Sequence, residues 1–182
     1  MSPGGYDRRM ADFVEMTVDS IRVHMPTGQH VVILKEKGQD RYLPIWIGIH
    51  EANAIALKIT GITPERPVTH DLLTNILGAM EIAVDRIEVT SLANEVFYAR
   101  ILAHQNGRSI EVDSRPSDAI AIAVRVGANI FVAADVLERA GVLPGSEDEA
   151  TEGMNPEHQQ RLSQVRDWVN AMELPDLGEE KS

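Results

Sequence analysis

Apolar and polar positions alternate along VEMTVDSIRV (14–23), placing Val14, Met16 and Val18, then Ile21 and Val23, on the core side of a half-buried strand. QHVVILKE (29–36) and RYLPIWI (41–47) read as two further strands, and KGQD between them as a hairpin turn. Gly48 ends this run. HEANAIALKIT (50–60) predicts a short Ala-rich helix stopped by Gly61. Pro64 and Pro67 keep ITPERPV out of regular helix. Thr69 then reads as the cap of HDLLTNILGAM (70–80), whose Leu72, Leu73, Ile76, Leu77 and Met80 form one apolar face.

The pattern returns in the second half. VDRIEV (84–89) echoes VDSIRV (18–23), DAIAIAVRV (118–126) echoes EANAIALKI (51–59), and DVL (135–137) answers DLL (71–73). EVFYARILA (95–103) and RSIEVD (108–113) form a hairpin around HQNG. Three matches in the same order, at slightly drifting offsets, point to a duplication with repeats at about 14–80 and 82–142, each of three strands followed by two helices. Strand runs that precede their helices favour an α+β fold over a doubly wound sheet. The expected architecture is a duplicated, mixed, barrel-like sheet with helices packed against it. Both Ala-rich helices are apolar nearly all round and should be buried on more than one side.

A chain of 182 residues is enough for one domain, here 14–143. Residues 1–13 are expected to be flexible, 144–155 to form an acidic linker, and 174–182 a flexible tail. Asn155 and Pro156 suit the start of an amphipathic helix over 156–173. Its stripe of Leu162, Val165, Trp168, Val169 and Met172 is expected to dock on the body or on a partner subunit.

The net charge of −11 is unevenly spread. Residues 144–182 hold 10 acids and 3 bases, a net of −7, which leaves −4 for residues 1–143. Neither part offers the broad basic field that grips phosphate backbones, so a nucleic-acid role must rest on a local site. The absence of cysteine removes disulfides, thiol catalysis and thiolate metal sites. No apolar run reaches a membrane span, and no apolar h-region follows the N-terminal arginines; a cytoplasmic protein without membrane contact is expected.

The chain has no GxGxxG, Walker loop, HExxH or GxSxG, and its six histidines are scattered. The remaining chemistry lies at helix starts. Glu51 and Asp118 occupy equivalent places in the two repeats, as do Asp71 and Asp135. An acid in a first helical turn meets free N–H groups and the positive dipole end, which accounts for these without any function. Other residues break the symmetry: Arg66 and His70 in the first half, and Asp113, Arg115 and Ser117 in the second. If the helix starts meet, Glu51, His70, Asp71, Asp113 and Asp118 converge with Arg66 and Arg115. Such an oxygen-rich set suits Mg²⁺ or Mn²⁺, with Glu51, Asp71 and Asp118 as ligands. The metal would activate water, an arginine would stabilise developing charge, and His70 would move a proton. Ion pairing with a nearby acid is the alternative account of Arg66 and Arg115.

LPIWIGIHEANAIAL (43–57), RPVTHDLL (66–73) and DSRPSDAIAIAVR (113–125) closely resemble the bifunctional nuclease domain family, in order and in spacing, over roughly residues 14–143. The resemblance implies a duplicated α+β fold, a homo-oligomer (a dimer by preference), and cleavage of DNA, RNA or both. Carried over by position, it implies Glu51, His70, Asp71, Asp113 and Asp118 as catalytic residues, and Arg66, Arg115 and Ser117 as phosphate-binding ones. No organic cofactor is implied. The competing expectation is a non-catalytic regulatory or ligand-binding module that uses the same polar cluster.

Overall fold

The computed structural model describes residues 12–24 and 27–144, together with Ser163, Gln164, Asp167 and Trp168. The alternating segments become strands β1 (Phe13–His24), β2 (Gln29–Glu36) and β3 (Tyr42–Ile47), joined as an antiparallel meander. Helices α1 (Ile49–Ile59) and α2 (Thr69–Ala79) follow. A second meander comprises β4 (Ala83–Ala93), β5 (Val96–Gln105) and β6 (Arg108–Ser114), followed by α3 (Pro116–Val126). Strand β7 (Asn129–Ala133) and helix α4 (Ala134–Ala140) complete the body.

All seven strands form one mixed sheet in the order β3-β2-β1-β7-β4-β5-β6. Strand β7 joins the two meanders, antiparallel to β1 and parallel to β4. The fold is α+β as expected, but the sheet does not close into a barrel. β3 and β6 are its two ends and do not pair with each other. The outer edge of β3 makes one isolated bridge, Tyr42 with Val142, while β6 carries Arg108, Glu111 and Asp113, charges that discourage further pairing. The expected order of three strands and two helices also misses β7, which separates α3 from α4. At the corresponding place in the first half, Pro67 and nearby Pro64 bar a ladder strand.

Strand β2 is buried on both faces, which explains its unbroken VVIL run. Val32 and Leu34 join the main core with Ile55, Ile87, Val89 and the α3 residues Ala119 to Ala123. Val31 and Ile33 face the other way, in a smaller cluster with Tyr42 and Val142 against which Trp46 and Trp168 pack. Glu88, also on the face away from the helices, is 1% exposed and held by Arg86 Nε and Arg100 Nε at 2.7 Å each. Helix α3 is the hub, packing on α1, α2, β4 and β5. It is buried on several sides, whereas α1 buries only Ala52, Ala54 and Ile55. Helix α2 buries no residue: Leu72, Leu73, Ile76 and Met80 stand exposed in place of the expected core face. Val23, too, is 42% exposed rather than part of the core.

Asp12 accepts a hydrogen bond from the Ala134 N–H, and Phe13 opens β1; the rest of the expected flexible start lies outside the described residues. So do the linker beyond residue 144, the tail, and all of the 156–173 segment except four residues, of which Ser163, Gln164, Asp167 and Trp168 are helical. No helix among the described residues is long and apolar enough to cross a membrane.

Candidate active site at the helix starts

Three helices bring their first turns to one cleft. Its volume is about 350 Å³, and Glu51 of α1, His70 of α2, and Arg115 and Asp118 at the start of α3 line it, with His50 and Asn53. Pro116 at the first helical position pre-sets α3, and Arg115 precedes it in extended backbone. Asp118, three residues into the helix, is therefore placed to cap, yet α3 has no side-chain cap bond. Its carboxylate turns sideways. Oδ1 accepts from His70 Nε2 at 3.1 Å, and Oδ2 accepts from Arg115 Nε at 2.7 Å. Arg115 Nη2 reaches across to Glu51 Oε1 at 2.8 Å. The resulting chain, His70–Asp118–Arg115–Glu51, ties α1, α2 and α3 together.

Glu51 folds back toward the start of its own helix. Gly48 makes this conformation available, because a methyl group there would collide with the Glu51 carboxylate. The Glu51 carboxyl is held below its ordinary value first by its own backbone N–H, against the opposing effect of burial, and then by Arg115. Burial pushes Asp118 up, but the bonds from Arg115 and His70 outweigh it and the group also lies below its ordinary value. Asp118, followed by Glu51, raises the Arg115 guanidinium. An ionised Asp118 can only accept, so His70 Nε2 carries a proton; in the neutral ring Nδ1 is then the base. Nδ1 has no protein partner among the described residues.

Ser117 neighbours this group. It is 7% exposed and lines a second cleft on the far side of Arg115. The other three expected residues lie elsewhere. Asp71 accepts from the Val68 N–H at 3.1 Å, bracing the start of α2, and from Arg125 Nε at 2.6 Å. Val68, not Thr69, is thus the N-cap residue of α2. Asp113 is exposed on edge strand β6, opposite Arg100 in register, and lines neither cleft. Arg66 is exposed in the loop between α1 and α2 and makes no ion pair among the described residues.

A Mg²⁺ or Mn²⁺ ion would need three or more oxygens around an open centre. Of the three expected ligands, Asp71 is turned to Arg125, and the Arg115 guanidinium already bridges Glu51 and Asp118. Among the described residues no three His, Asp or Glu side chains are grouped to hold an ion. The donor set of this arrangement does not fit a resident divalent metal. Three residues that sequence reasoning left without a role matter here. Arg125, two residues before the helix-ending Gly127, anchors Asp71; Gly48 admits Glu51; Asn53 faces the cleft one turn along α1. Only Gly48, a glycine immediately before a helix that opens with an acid, carried a readable signal.

The model of the bifunctional nuclease domain matches residues 32–144. The chain belongs to this family. Bifunctional nuclease 1 of Oryza sativa subsp. japonica is 28% identical over 109 residues, 58% of this chain and 33% of its own. Bifunctional nuclease 1 of Arabidopsis thaliana is 29% identical over 98 residues, 52% of this chain and 30% of its own. An uncharacterized protein of Mycobacterium tuberculosis is 40% identical over 158 residues, 86% of this chain and 94% of its own. The bifunctional nuclease domain match runs from within β2 through α4, hence over every member of the helix-start cluster.

Proposed function

We propose that the chain hydrolyses phosphodiester bonds of DNA, RNA or both in the cleft between α1, α2 and α3. One observation carries this reading: the Asp118 carboxylate holds His70 Nε2 and Arg115 Nε together at the mouth of an open cleft. A carboxylate that fixes the tautomer of an imidazole and leaves its other nitrogen open makes a positioned base. Nδ1 of His70 takes the proton of the attacking water as its oxygen bonds to phosphorus. Arg115, 66% exposed, donates from Nη1 to the phosphoryl oxygens as charge grows there. The ester bond breaks, and the leaving oxygen takes a proton from solvent in the open cleft. The names of the plant relatives support the substrate class.

The test is cleavage of labelled single- and double-stranded DNA and RNA by the purified chain. Asp118→Asn and His70→Ala are expected to lose at least about 100-fold in rate, the usual contribution of a positioned base, while remaining folded. Activity is expected to persist in EDTA, because Arg115 occupies the position between the two carboxylates. Undiminished turnover in both variants would remove the mechanism.

The second reading is a ligand-binding module in which the same chain of contacts serves as a clamp. It is favoured by the way the four side chains satisfy one another across three helices. In that case the two substitutions lower the melting temperature and change no reaction.

The two meanders flanking β7 support an origin by duplication. The bare apolar face of α2 supports a homodimer. An 11-residue helix is marginal without tertiary cover. The chain's own Trp168 packs on the opposite side of the sheet, so a second copy is the natural occupant of that face.

A further inference from the structure

Arg115 belongs to two clefts. The second, also about 350 Å³, lies where the end of β3 approaches the β4–β5 hairpin. Ile47, Val96, Phe97 and Pro116 give it apolar walls, and Glu95 and Ser117 give it polar groups. Ser117 is more than nine-tenths buried, and its hydroxyl makes no hydrogen bond among the described residues. Arg115 spends Nε on Asp118 and Nη2 on Glu51; Nη1 has no protein partner among the described residues.

These features select one kind of ligand. It has an anion for Arg115, a flat apolar body for a slot beside Phe97, and polar atoms within reach of Ser117. A nucleotide unit meets all three requirements, and the slot is of a size that takes one small molecule. We propose that the second cleft is a nucleoside subsite: it holds the base and sugar of the nucleotide whose phosphate lies against Arg115. The base enters the slot between the end of β3 and the β4–β5 hairpin, against the part of Phe97 that lines it, and Ser117 Oγ bonds to the sugar or base. The inference rests on the hydrolytic reading for the position of the phosphate, and it assigns substrate positioning to residues outside the helix-start cluster. Apolar contact with a base does not read the 2′-hydroxyl, which fits a site that accepts both DNA and RNA.

The test is calorimetric titration of the full chain with 5′-AMP and with ribose 5-phosphate, which lacks the base. The nucleotide is expected to bind about tenfold more tightly, as one stacked base provides. Val96→Trp fills the slot from an exposed strand position, Val96 being 53% exposed, where an aromatic residue is well tolerated. It should abolish the preference for 5′-AMP over ribose 5-phosphate. Should that variant fail to fold, Ser117→Ala is read in its place and should weaken 5′-AMP binding severalfold. Equal affinity for the two ligands in the native chain, or a preference undiminished in the variant, would overturn the subsite. Nucleic-acid cleavage without a 5′-AMP preference would leave the hydrolytic reading standing and sink this one. A 5′-AMP preference without cleavage would do the reverse.

Discussion

Gly48 decides where the Glu51 carboxylate can go. A β-carbon at this position takes the space of a carboxylate oxygen at the free end of a flexible side chain, so the side chain can yield without moving the backbone. Gly48→Ala is therefore expected to fold normally, with stability changed by no more than about 1 kcal/mol. Glu51 should swing away and release one side of Arg115, and cleavage should fall by about tenfold. Thermal melts beside rate measurements check both parts; a large loss of stability with unchanged rate would contradict them. At this scale the sequence was partly legible. Glu51, His70, Arg115 and Asp118 stood out because His70 and Arg115 break the symmetry of two otherwise matching helix starts. Asp71 carried the same signal and yet turns to Arg125. Which way an acid in a first turn points depends on its neighbours across the helix interface, and a one-dimensional pattern does not hold that information.

Helix α2 shows how an element can be held by polar contacts where apolar ones are missing. None of its residues is buried, but Asp71 accepts from Arg125 of α3, whose side chain is 5% exposed, and His70 donates to Asp118. Arg125→Met removes a buried cation and leaves Asp71 partly desolvated. Destabilisation of about 2 kcal/mol is expected, less than for a fully enclosed pair because Asp71 remains 29% exposed. Urea melts would measure it, and no change would show that α2 is held by other means. Asp71 lies below its ordinary value of 3.8, through Arg125 first, against burial, and then through the Val68 N–H; Glu51 and Asp118 are shifted the same way. The unfolded chain then takes up protons before the folded one does. These groups stabilise the fold fully above about pH 5, and their contribution falls away as the pH drops through the ordinary carboxyl range to the lower folded values. Denaturant midpoints from pH 6 to pH 3 should fall steadily, and less steeply in Asp71→Asn. A flat profile would contradict the ion pairing. The missed strand β7 has a similar lesson. NIFVA is short, and it runs straight into ADVL, so the local pattern does not separate strand from helix; pairing on both sides settles it.

Over the whole molecule, the alternation of the strands and the order of strand runs before helices were enough for the α+β class. They were not enough for closure. Whether the ends of a sheet meet depends on accumulated twist and on where β7 enters, between β1 and β4. The open arrangement leaves room near Arg115 for the second cleft, which a closed sheet would not. It also leaves the apolar face of α2 on the outside, with Ile59 and Ile62 exposed as well. A dimer in solution is expected, and sedimentation at micromolar concentration should detect it. Ile76→Glu, in the middle of that face, should give a folded monomer; a wild-type monomer would count against the pairing.

The chain of contacts from His70 through Asp118 and Arg115 to Glu51 has a consequence for descent within the family. A lineage that lost catalysis would still draw stability from these four residues, which join three helices, so selection for stability would favour keeping them. Active and inactive members would then share the motif and diverge around it, at positions such as Val96 and Phe97 that line the second cleft without joining helices. Those neighbours are where the history of the activity should be read.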